Sequence, residues 1–399
     1  MNKLWRLVKS ASRLIHLLGR ELSNAVKCFA AGKPLEGRNH IRLALQIVHE
    51  DCLAVISAFS GSVPTAASSE SIRILIVKLD RVGDMVNTTP VFQILKDKFP
   101  CASIDIAGHP GVLALLEGDC RLSQRYSYLS SLYHQCPIRL PNSSKLKVIL
   151  RLWRNHYDMV IYLRGTLWLL PLAIRSKFFP CKFLEGEPVT LRYLKSFCSP
   201  DDLAGPLPVP MLNVLEHSRE RVRKKYPRNS DTKRIVIHAV SAAEGKQWPL
   251  ERFARVADEL VERVRVDILF LASSNEQDKL KKIAALCRHS HHYETAFQLP
   301  EVVAAIADCD VFIGNDSGLC HIAAAVKSRE VVIWGAANLT MARPVALPGY
   351  CTILYHHVSC RESCREEYCG SAEHLQCLTK TGESDVVAAA LAQLQSTSR

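Results

Sequence analysis

The stretch ILIVKLDRVGDMVNTTP, from Ile74 to Pro90, joins a buried-strand pattern to a turn with one glycine and two aspartates. Four consecutive apolar residues, Ile74 to Val77, are typical of a strand in a parallel sheet that is covered on both faces. A turn that wraps a nucleotide phosphate usually carries several glycines, whereas this turn has only Gly83. The sequence therefore predicts that this strand leads into a site for a ligand other than the nucleotide.

Strands and helices alternate from this point to the end of the chain. The Pro-rich segment SPDDLAGPLPVP (199–210) interrupts the alternation once. Such a pattern predicts an α/β fold with parallel sheets, here two Rossmann-like halves with the ligand cleft at the carboxyl ends of the strands. We predict three parts: a helical extension and linker (1–70), a first Rossmann-like domain (71–205) and a second Rossmann-like domain (206–399).

The composition excludes several classes of protein. The 399 residues include 51 basic and 39 acidic side chains, a net charge of +12, which favours an anionic partner. The sequence shows no basic stripe with interleaved aromatic residues, so we expect no nucleic-acid binding. Fifteen cysteines dispersed over a long chain without an export signal predict reduced thiols in the cytoplasm.

The first 70 residues predict a basic helical extension. Between residues 1 and 49, nine basic residues stand against two acidic ones, and Leu4, Leu7 and Leu14 fall on one helical face. Two interpretations stay open. The helix lies on an anionic membrane surface, which would make the protein peripheral to a membrane, or it packs its apolar face on the body of the protein.

The stretch DVFIGNDSGLCHIAAA (310–325) predicts an anion site. A strand ends at Asn315, and the following turn opens a helix, so several backbone N–H groups and a helix N-terminus point to one place. His321, in the first turn of that helix, can donate a hydrogen bond to a phosphate. The alternative is an ordinary capped helix, because Asp316 and Ser317 are both good N-cap residues.

The stretch IHAVSAAEGKQW (237–248) brings a lysine to the same edge of the second sheet. A strand ends near Val240, and a loop of small residues carries Lys246. A mobile cation in this position can stabilise a departing diphosphate. The alternative is a solvent-facing lysine, which most lysines are.

Together the three stretches resemble the ADP-heptose:lipopolysaccharide heptosyltransferases of glycosyltransferase family 9. The resemblance runs from about Ile72 to the C-terminus and is strongest in KLDRVGDMVNTTPVFQILK, GKQWPLERFARVADEL and FIGNDSGLCHIAAA. It implies a GT-B fold whose first domain holds the acceptor and whose second domain holds the nucleotide sugar. It also implies inverting transfer that needs no cofactor.

The resemblance further implies roles for individual residues. Asp84 matches the catalytic carboxylate, which takes the proton from an acceptor hydroxyl, and Lys246 matches the lysine that stabilises the ADP leaving group. The residues implied on the acceptor-side loop are Arg81, Gly83 and Asn87. Those implied to contact the donor are Ser241, Glu276 at the ribose, the backbone near Phe297 at adenine, Asp316, Ser317, Gly318 and His321.

Four cysteines lie close together near the C-terminus, Cys360, Cys364, Cys369 and Cys377. Four thiols within 18 residues could hold a structural zinc or iron ion, although their spacing is looser than that of common zinc sites. The alternative is reduced cysteines that pack a short loop.

These observations predict a cytoplasmic enzyme that transfers heptose from ADP-heptose to an anionic lipid-linked acceptor, the inner core of lipopolysaccharide. One alternative keeps the donor and replaces the acceptor with a protein, such as a surface adhesin. Another is a nucleotide-sugar-binding module without catalytic activity, which the presence of both Asp84 and Lys246 disfavours.

Overall fold

The computed structural model describes residues 23, 24, 26, 71–128, 142–164, 172, 176–181, 186–360, 369, 371 and 373–396, with the side chains of 142–145 left out. The predicted helical extension lies almost entirely outside the described residues, as does Cys364.

The first sheet is built from five parallel strands, and four of its strands are rich in buried residues. In β1 all residues after Arg73 are buried, which agrees with the continuous apolar run in the sequence. The elements of this half, in chain order, are β1 (Arg73–Lys78), α1 (Val82–Val86), α2 (Thr89–Lys98), β2 (Ser103–Gly108), α3 (Pro110–Leu113), β3 (Gln124–Ser127), α4 (Asn142–Arg154), β4 (Met159–Arg164), β5 (Lys177–Pro180) and α5 (Val189–Lys195).

The second sheet has six parallel strands and repeats the same alternation. A linker without regular secondary structure, 204–215, leads into it. Its elements are α6 (Glu216–Lys225), β6 (Lys233–His238), α7 (Leu250–Arg263), β7 (Val266–Leu271), α8 (Gln277–Leu286), β8 (His292–Glu294), α9 (Leu299–Ala307), β9 (Val311–Asn315), α10 (Gly318–Ala325), β10 (Glu330–Trp334), α11 (Leu339–Ala342), β11 (Cys351–Tyr355), α12 (Gln376–Thr379) and α13 (Glu383–Ser396).

The order of the strands fixes where ligands can bind. The first sheet runs β3-β2-β1-β4-β5 and the second β11-β10-β9-β6-β7-β8. In each sheet the strand order reverses direction once, between β1 and β4 and between β6 and β9. Ligands of open α/β sheets bind beyond the carboxyl ends of the strands at such a reversal. The segments after β1, β6 and β9, which the sequence singled out, all begin there.

One apolar core extends through both halves. A single cluster of buried side chains includes Ile74 and Ile106 of the first sheet together with Phe312, Val332 and Trp334 of the second. Further clusters cover the other face of each sheet. The two sheets are therefore connected by continuous apolar packing as well as by the linker.

The predicted α/β architecture of two Rossmann-like halves is confirmed, with one local difference. The turn expected after β1 is a one-turn helix, α1, which is followed by α2. The boundary between residues 205 and 206 stays a prediction. Among the residues that the structure describes, no helix is long and apolar enough to cross a membrane.

Candidate active site

Helices α1 and α10 bring the two halves into direct contact. A Cβ atom on Gly83 would lie 2.7 Å from Cδ2 of His321, and one on Gly318 would lie 2.8 Å from Cβ of Val82. Any larger residue at either position would push the helices apart. Gly83 is thus needed for this close approach, which places the neighbouring Asp84 beside the N-terminal turn of α10.

The carboxylate of Asp84 is held from one side and open on another. The hydroxyl of Tyr193 donates to its Oδ1 at 3.1 Å, and Nζ of Lys78 lies 3.9 Å from the same oxygen. About a third of the side chain, 33%, remains exposed. Enclosure by the surrounding protein raises the pKa of Asp84 above its ordinary value, although the charge of Lys78 opposes this shift.

Lys78 is the centre of this network. Its side chain is 1% exposed, and its Nζ donates to Oδ2 of Asp80 at 3.0 Å and to the hydroxyl of Tyr193 at 2.5 Å. Burial would raise the pKa of Asp80, but the charges of Lys78 and Arg164 bring it below the ordinary value. Asp80 therefore neutralises Lys78, and Tyr193 connects Lys78 to Asp84.

Three residues of this network, Lys78, Tyr193 and Arg164, were not predicted from the sequence. Lys78 was detectable in principle, because a charged residue at the end of a fully apolar strand is unusual. Tyr193 gave no signal, since it is 109 residues from Asp84 in the chain. Arg164 ends β4, and its Nε lies 3.7 Å from Oδ2 of Asp80.

On the facing half, Lys246 forms an ion pair with Asp316. Its Nζ lies 3.0 Å from Oδ2 of the buried Asp316. Lys246 ends a single 3₁₀ turn, Glu244–Lys246, and the carbonyl of Gly245 in that turn accepts a hydrogen bond from the N–H of Ala336 at 2.8 Å. The lysine is consequently positioned by its surroundings, in contrast to the mobile side chain that the loop predicted.

Two amide side chains fix the loop that carries Lys246. Gln247 accepts from the N–H of Ser241 at 2.7 Å and donates to the carbonyl of Ala239 at 2.7 Å. Asn315 accepts from the N–H of Trp248 at 3.0 Å and also donates to Ala239, at 3.2 Å. These bonds hold both ends of the loop at the carboxyl edge of β6 and β9.

Ser317 caps α10, and a buried histidine lies next to it. The side chain of Ser317 accepts from the N–H of Leu319, and its Oγ lies 3.2 Å from Nδ1 of His238. Burial lowers the pKa of His238 to about 4, with Glu276 opposing and Lys279 supporting the shift. His238 is a further site residue that sequence analysis did not single out.

His321 is also buried and neutral. Burial, followed by the charge of Lys246, lowers its pKa to about 4, and its Nδ1 has no hydrogen-bond partner among the residues that the structure describes. An uncharged imidazole against Gly83 can offer one N–H to a ligand without repelling Lys246.

The remaining predicted residues occupy varied positions. Oε2 of Glu276 accepts from the N–H and the hydroxyl of Ser273 in a capping box. Phe297 packs edge-on against Tyr226, with ring centroids 6.0 Å apart. Arg81 is exposed and precedes α1. Asn87 is buried, and its carbonyl accepts from the hydroxyl of Thr190 at 3.3 Å.

The predicted metal site is only partly described. Sγ of Cys369 accepts from the N–H of Leu375 at 3.2 Å. Among the described residues, Cys360, Cys369 and Cys377 form no group with all ligand atoms within 4.8 Å of one another. A metal ion at these cysteines stays a prediction.

The possible ligand atoms of another group do lie within 4.8 Å of one another, namely those of Asp258, Cys287 and His291. The carboxylate of Asp258 already accepts from the N–H groups of Arg288 and His289 and pairs with Nε2 of His291. Its role in connecting α7 to the end of α8 is therefore explained without an ion.

The two edges of the cleft carry complementary chemistry. The first edge presents a partly open carboxylate with a raised pKa. The second presents the N-terminus of α10 next to a positioned lysine, an arrangement that suits a phosphorylated ligand. Two facing Rossmann-like halves with these edges form a cleft of the GT-B type, with a carboxylate on one side and a site for a phosphorylated ligand on the other.

Comparison with known proteins shows similarity to one family of glycosyltransferases. The model of glycosyltransferase family 9 (heptosyltransferase) matches residues 171–369. The chain is 28% identical over 308 residues to lipooligosaccharide heptosyltransferase 2 of Haemophilus ducreyi, covering 69% of this chain and 86% of that protein. It is 28% identical to lipopolysaccharide heptosyltransferase 3 of Escherichia coli K12, covering 66% and 82%.

The fold agrees with these matches. The structure of E. coli ADP-heptose lps heptosyltransferase II superposes with a TM-score of 0.68 at 18% identity, covering 82% of this chain and all of that one. The chain is therefore a glycosyltransferase with a GT-B fold, and it is similar to the heptosyltransferases of glycosyltransferase family 9.

Proposed function

We propose that the protein transfers heptose from ADP-heptose to the inner core of lipopolysaccharide, with inversion at the anomeric carbon. The observation that carries this proposal is the contact between α1 and α10, which sets the open carboxylate of Asp84 beside the anion site of Ser317 and Lys246. The similar proteins are heptosyltransferases of lipooligosaccharide and lipopolysaccharide, which supports this sugar and this acceptor.

Asp84 acts as the general base in this proposal. It takes the proton from an acceptor hydroxyl while that oxygen attacks the anomeric carbon and the bond to the diphosphate breaks. A carboxylate with a raised pKa is a stronger base than an ordinary aspartate, and it must be deprotonated at the start of each turnover. Tyr193 orients the carboxylate through its hydrogen bond to Oδ1.

Lys246 and the N-terminus of α10 stabilise the ADP that departs. Negative charge accumulates on the diphosphate as the glycosidic bond breaks, and a positioned cation together with backbone N–H groups offsets it. Asp316 holds Lys246 in position. With these groups the transfer needs no cofactor, so we expect activity to persist in the presence of a chelator.

The remaining predicted residues bind the two substrates. We assign Glu276 to the ribose, the backbone near Phe297 to adenine, and Ser241, Gly318 and His321 to the diphosphate-sugar. On the other edge, the exposed Arg81 and the half-exposed Arg164 offer positive charge to an anionic acceptor.

The test of the base is Asp84→Asn, which keeps the shape of the side chain and removes its basicity. We expect kcat to fall by about 10²–10⁴-fold, while the Kd for ADP, measured by calorimetry, changes by less than about twofold. Asp97→Asn, at an exposed position on α2, is the matched control. Transfer by Asp84→Asn at the wild-type rate would contradict the assignment.

The acceptor is tested by incubating the enzyme with ADP-heptose and either core lipid or candidate polypeptides. We expect labelled heptose to appear in the lipid alone. Transfer to a polypeptide instead would favour the alternative of a protein heptosyltransferase.

A further inference from the structure

Helix α4 exposes an apolar surface that the fold does not use. Leu146, Leu150 and Trp153 are 54%, 37% and 36% exposed. Their spacing places them within an arc of about 60° on the helix. We call these three side chains the α4 apolar stripe.

The stripe is separate from the face that packs against the protein. Ile149 and Leu152 are buried in the core on one face of the first sheet, with Val148 packed against it. They point about 100° away from the stripe. The stripe is therefore a second apolar surface on the same helix, distinct from the face that packs in the core.

Basic residues lie next to the α4 apolar stripe, on the side away from Ile149 and Leu152. Lys147, Arg151 and Arg154 are exposed, and they fall within a second arc of about 60°. Arg151 also lies over the ring of Tyr126, at 5.3 Å from its centroid. Helix α4 contains no acidic residue. An apolar stripe next to a purely basic one is the pattern of a helix that lies in the interface of an anionic bilayer.

We propose that α4 docks the enzyme on an anionic lipid surface, with the apolar stripe in the headgroup region and the three basic residues on lipid phosphates. The proposal rests on the proposed function, because the acceptor of that function belongs to such a surface. It identifies a contact within the acceptor half, separate from the N-terminal extension.

The position of α4 connects this surface to the active site. The helix connects β3 to β4 and ends four residues before β4 begins. A helix that connects parallel strands of one sheet runs antiparallel to them. Thirteen helical residues span about 20 Å, which is also about the length of the six-residue strand. The Leu146 end thus reaches the carboxyl edge of the sheet, where β1 leads to Asp84. A docked α4 would bring this edge close to a lipid-linked acceptor.

A second copy of the chain is a less suitable occupant. Packing two α4 stripes against each other would bring the basic residues of both copies together without any acidic partner on either helix. Lipid phosphates, in contrast, neutralise them.

The first test measures quenching of tryptophan fluorescence by brominated phosphatidylglycerol vesicles, with the full chain and its Trp153→Phe variant. Trp248 and Trp334 are fully buried, and Trp5 and Trp168 remain in both proteins, so the difference reports Trp153. Phenylalanine keeps the side chain apolar, and we expect the variant to bind equally well while losing a component of the quenching. Equal quenching of both proteins when they are bound to the vesicles would overturn the proposal, even if another segment attaches the chain.

The second test measures sedimentation with vesicles. We expect the double variant Leu150→Ser, Trp153→Ser to bind phosphatidylglycerol vesicles about tenfold more weakly than the wild type, because two apolar side chains no longer enter the interface. Leu286→Ser is the matched control, since Leu286 is an exposed leucine, 47% accessible, on the other half. Two results would contradict the lipid surface. One is that the double variant binds vesicles with wild-type affinity, and the other is that the wild type forms a dimer that the double substitution dissociates.

Asp84→Asn separates this proposal from the proposed function. It should bind vesicles and show Trp153 quenching like the wild type while failing to transfer sugar. Vesicle binding without transfer in the wild type would contradict only the proposed function, and transfer without the Trp153 signal would contradict only the docking surface.

Discussion

At the scale of single residues, the hydrogen bond from Tyr193 to Asp84 should set the pH at which Asp84, the base that we propose, becomes active. Burial and the nearby Asp84 hold the pKa of Tyr193 well above its usual value, so the hydroxyl stays protonated and donates. This bond favours the charged carboxylate and lowers the pKa of Asp84, partly offsetting the effect of burial.

The variant Tyr193→Phe should therefore raise the pKa of Asp84. Because the base works only when it is deprotonated, we expect the acid limb of the kcat/KM profile to move to higher pH, with most of the rate recovered above that limb. Tyr157→Phe is the matched control, since Tyr157 is a buried tyrosine that donates to Asp105 at 2.9 Å. An unmoved acid limb, or a uniform loss of rate at every pH, would show that Tyr193 does not tune Asp84.

The site could be predicted from the sequence only where its residues are local. Asp316, Ser317 and Gly318 follow one another after a strand, and that pattern is visible in the sequence. The partners of Asp84 come from the end of β1 and from α5, and the sequence contains nothing that links Tyr193 to Lys78. Tyr193 lies 109 positions from Asp84 in the chain, so its effect on the pKa of Asp84 can be recognised only in the folded structure.

At the scale of elements, the loop of Lys246 depends on the absence of a side chain at Gly335. A Cβ atom there would lie 2.1 Å from the carbonyl oxygen of Gly245. The obstructing atom belongs to the backbone, so no change of rotamer can relieve the clash.

We expect Gly335→Ala to destabilise the protein by about 1–3 kcal/mol and to weaken ADP binding, because the turn that carries Lys246 must shift. Chemical denaturation and calorimetry measure the two effects. Gly205→Ala is the control, since no atom of the described part of the chain lies within 4 Å of a Cβ atom at that position. Unchanged ADP affinity in Gly335→Ala would show that the position of this turn does not govern nucleotide binding.

The regular elements were more predictable than the short ones. Strands such as β1 and β9 are buried on both faces, so their sequences are continuous apolar runs. Helix α1 has only five residues and includes Gly83, which disfavours a helix. Its contact with α10 stabilises it, and that contact involves residues more than 200 positions apart.

At the scale of the whole molecule, two buried neutral histidines make stability depend on pH. The pKa values of His238 and His321 are lowered to about 4 in the folded state, whereas the unfolded chain takes up the protons near pH 6.5. Above pH 6.5 the two histidines make their full contribution to the free energy of unfolding. This contribution is lost as the pH falls towards 4, and the loss is about 3 kcal/mol for each histidine.

The measurement is the free energy of unfolding in urea between pH 4.5 and 7.5. Carboxylates contribute their own acid dependence, so the comparison is with His238→Asn, which should lose stability less steeply than the wild type over this range. His217→Asn, at an exposed position on α6, should follow the wild type. Parallel curves for His238→Asn and the wild type would contradict the buried neutral state of His238.

The overall architecture was predictable because it depends on periodicity alone, and two rounds of strand and helix imply two parallel sheets. Their packing against each other was not predictable in this way. It depends on which apolar residues of the linker and helices face the opposite half, and periodicity within one element does not specify a distant partner.

The apolar core that extends through both sheets has a consequence for folding. Ile74 and Trp334 belong to one cluster of buried side chains, so separating the halves would expose part of that cluster on each of them. We therefore expect the two halves to depend on each other for stability and the chain to melt in a single transition. During synthesis, the apolar surface of the first half would stay exposed to solvent or bound to a chaperone until the second half has left the ribosome and covers it.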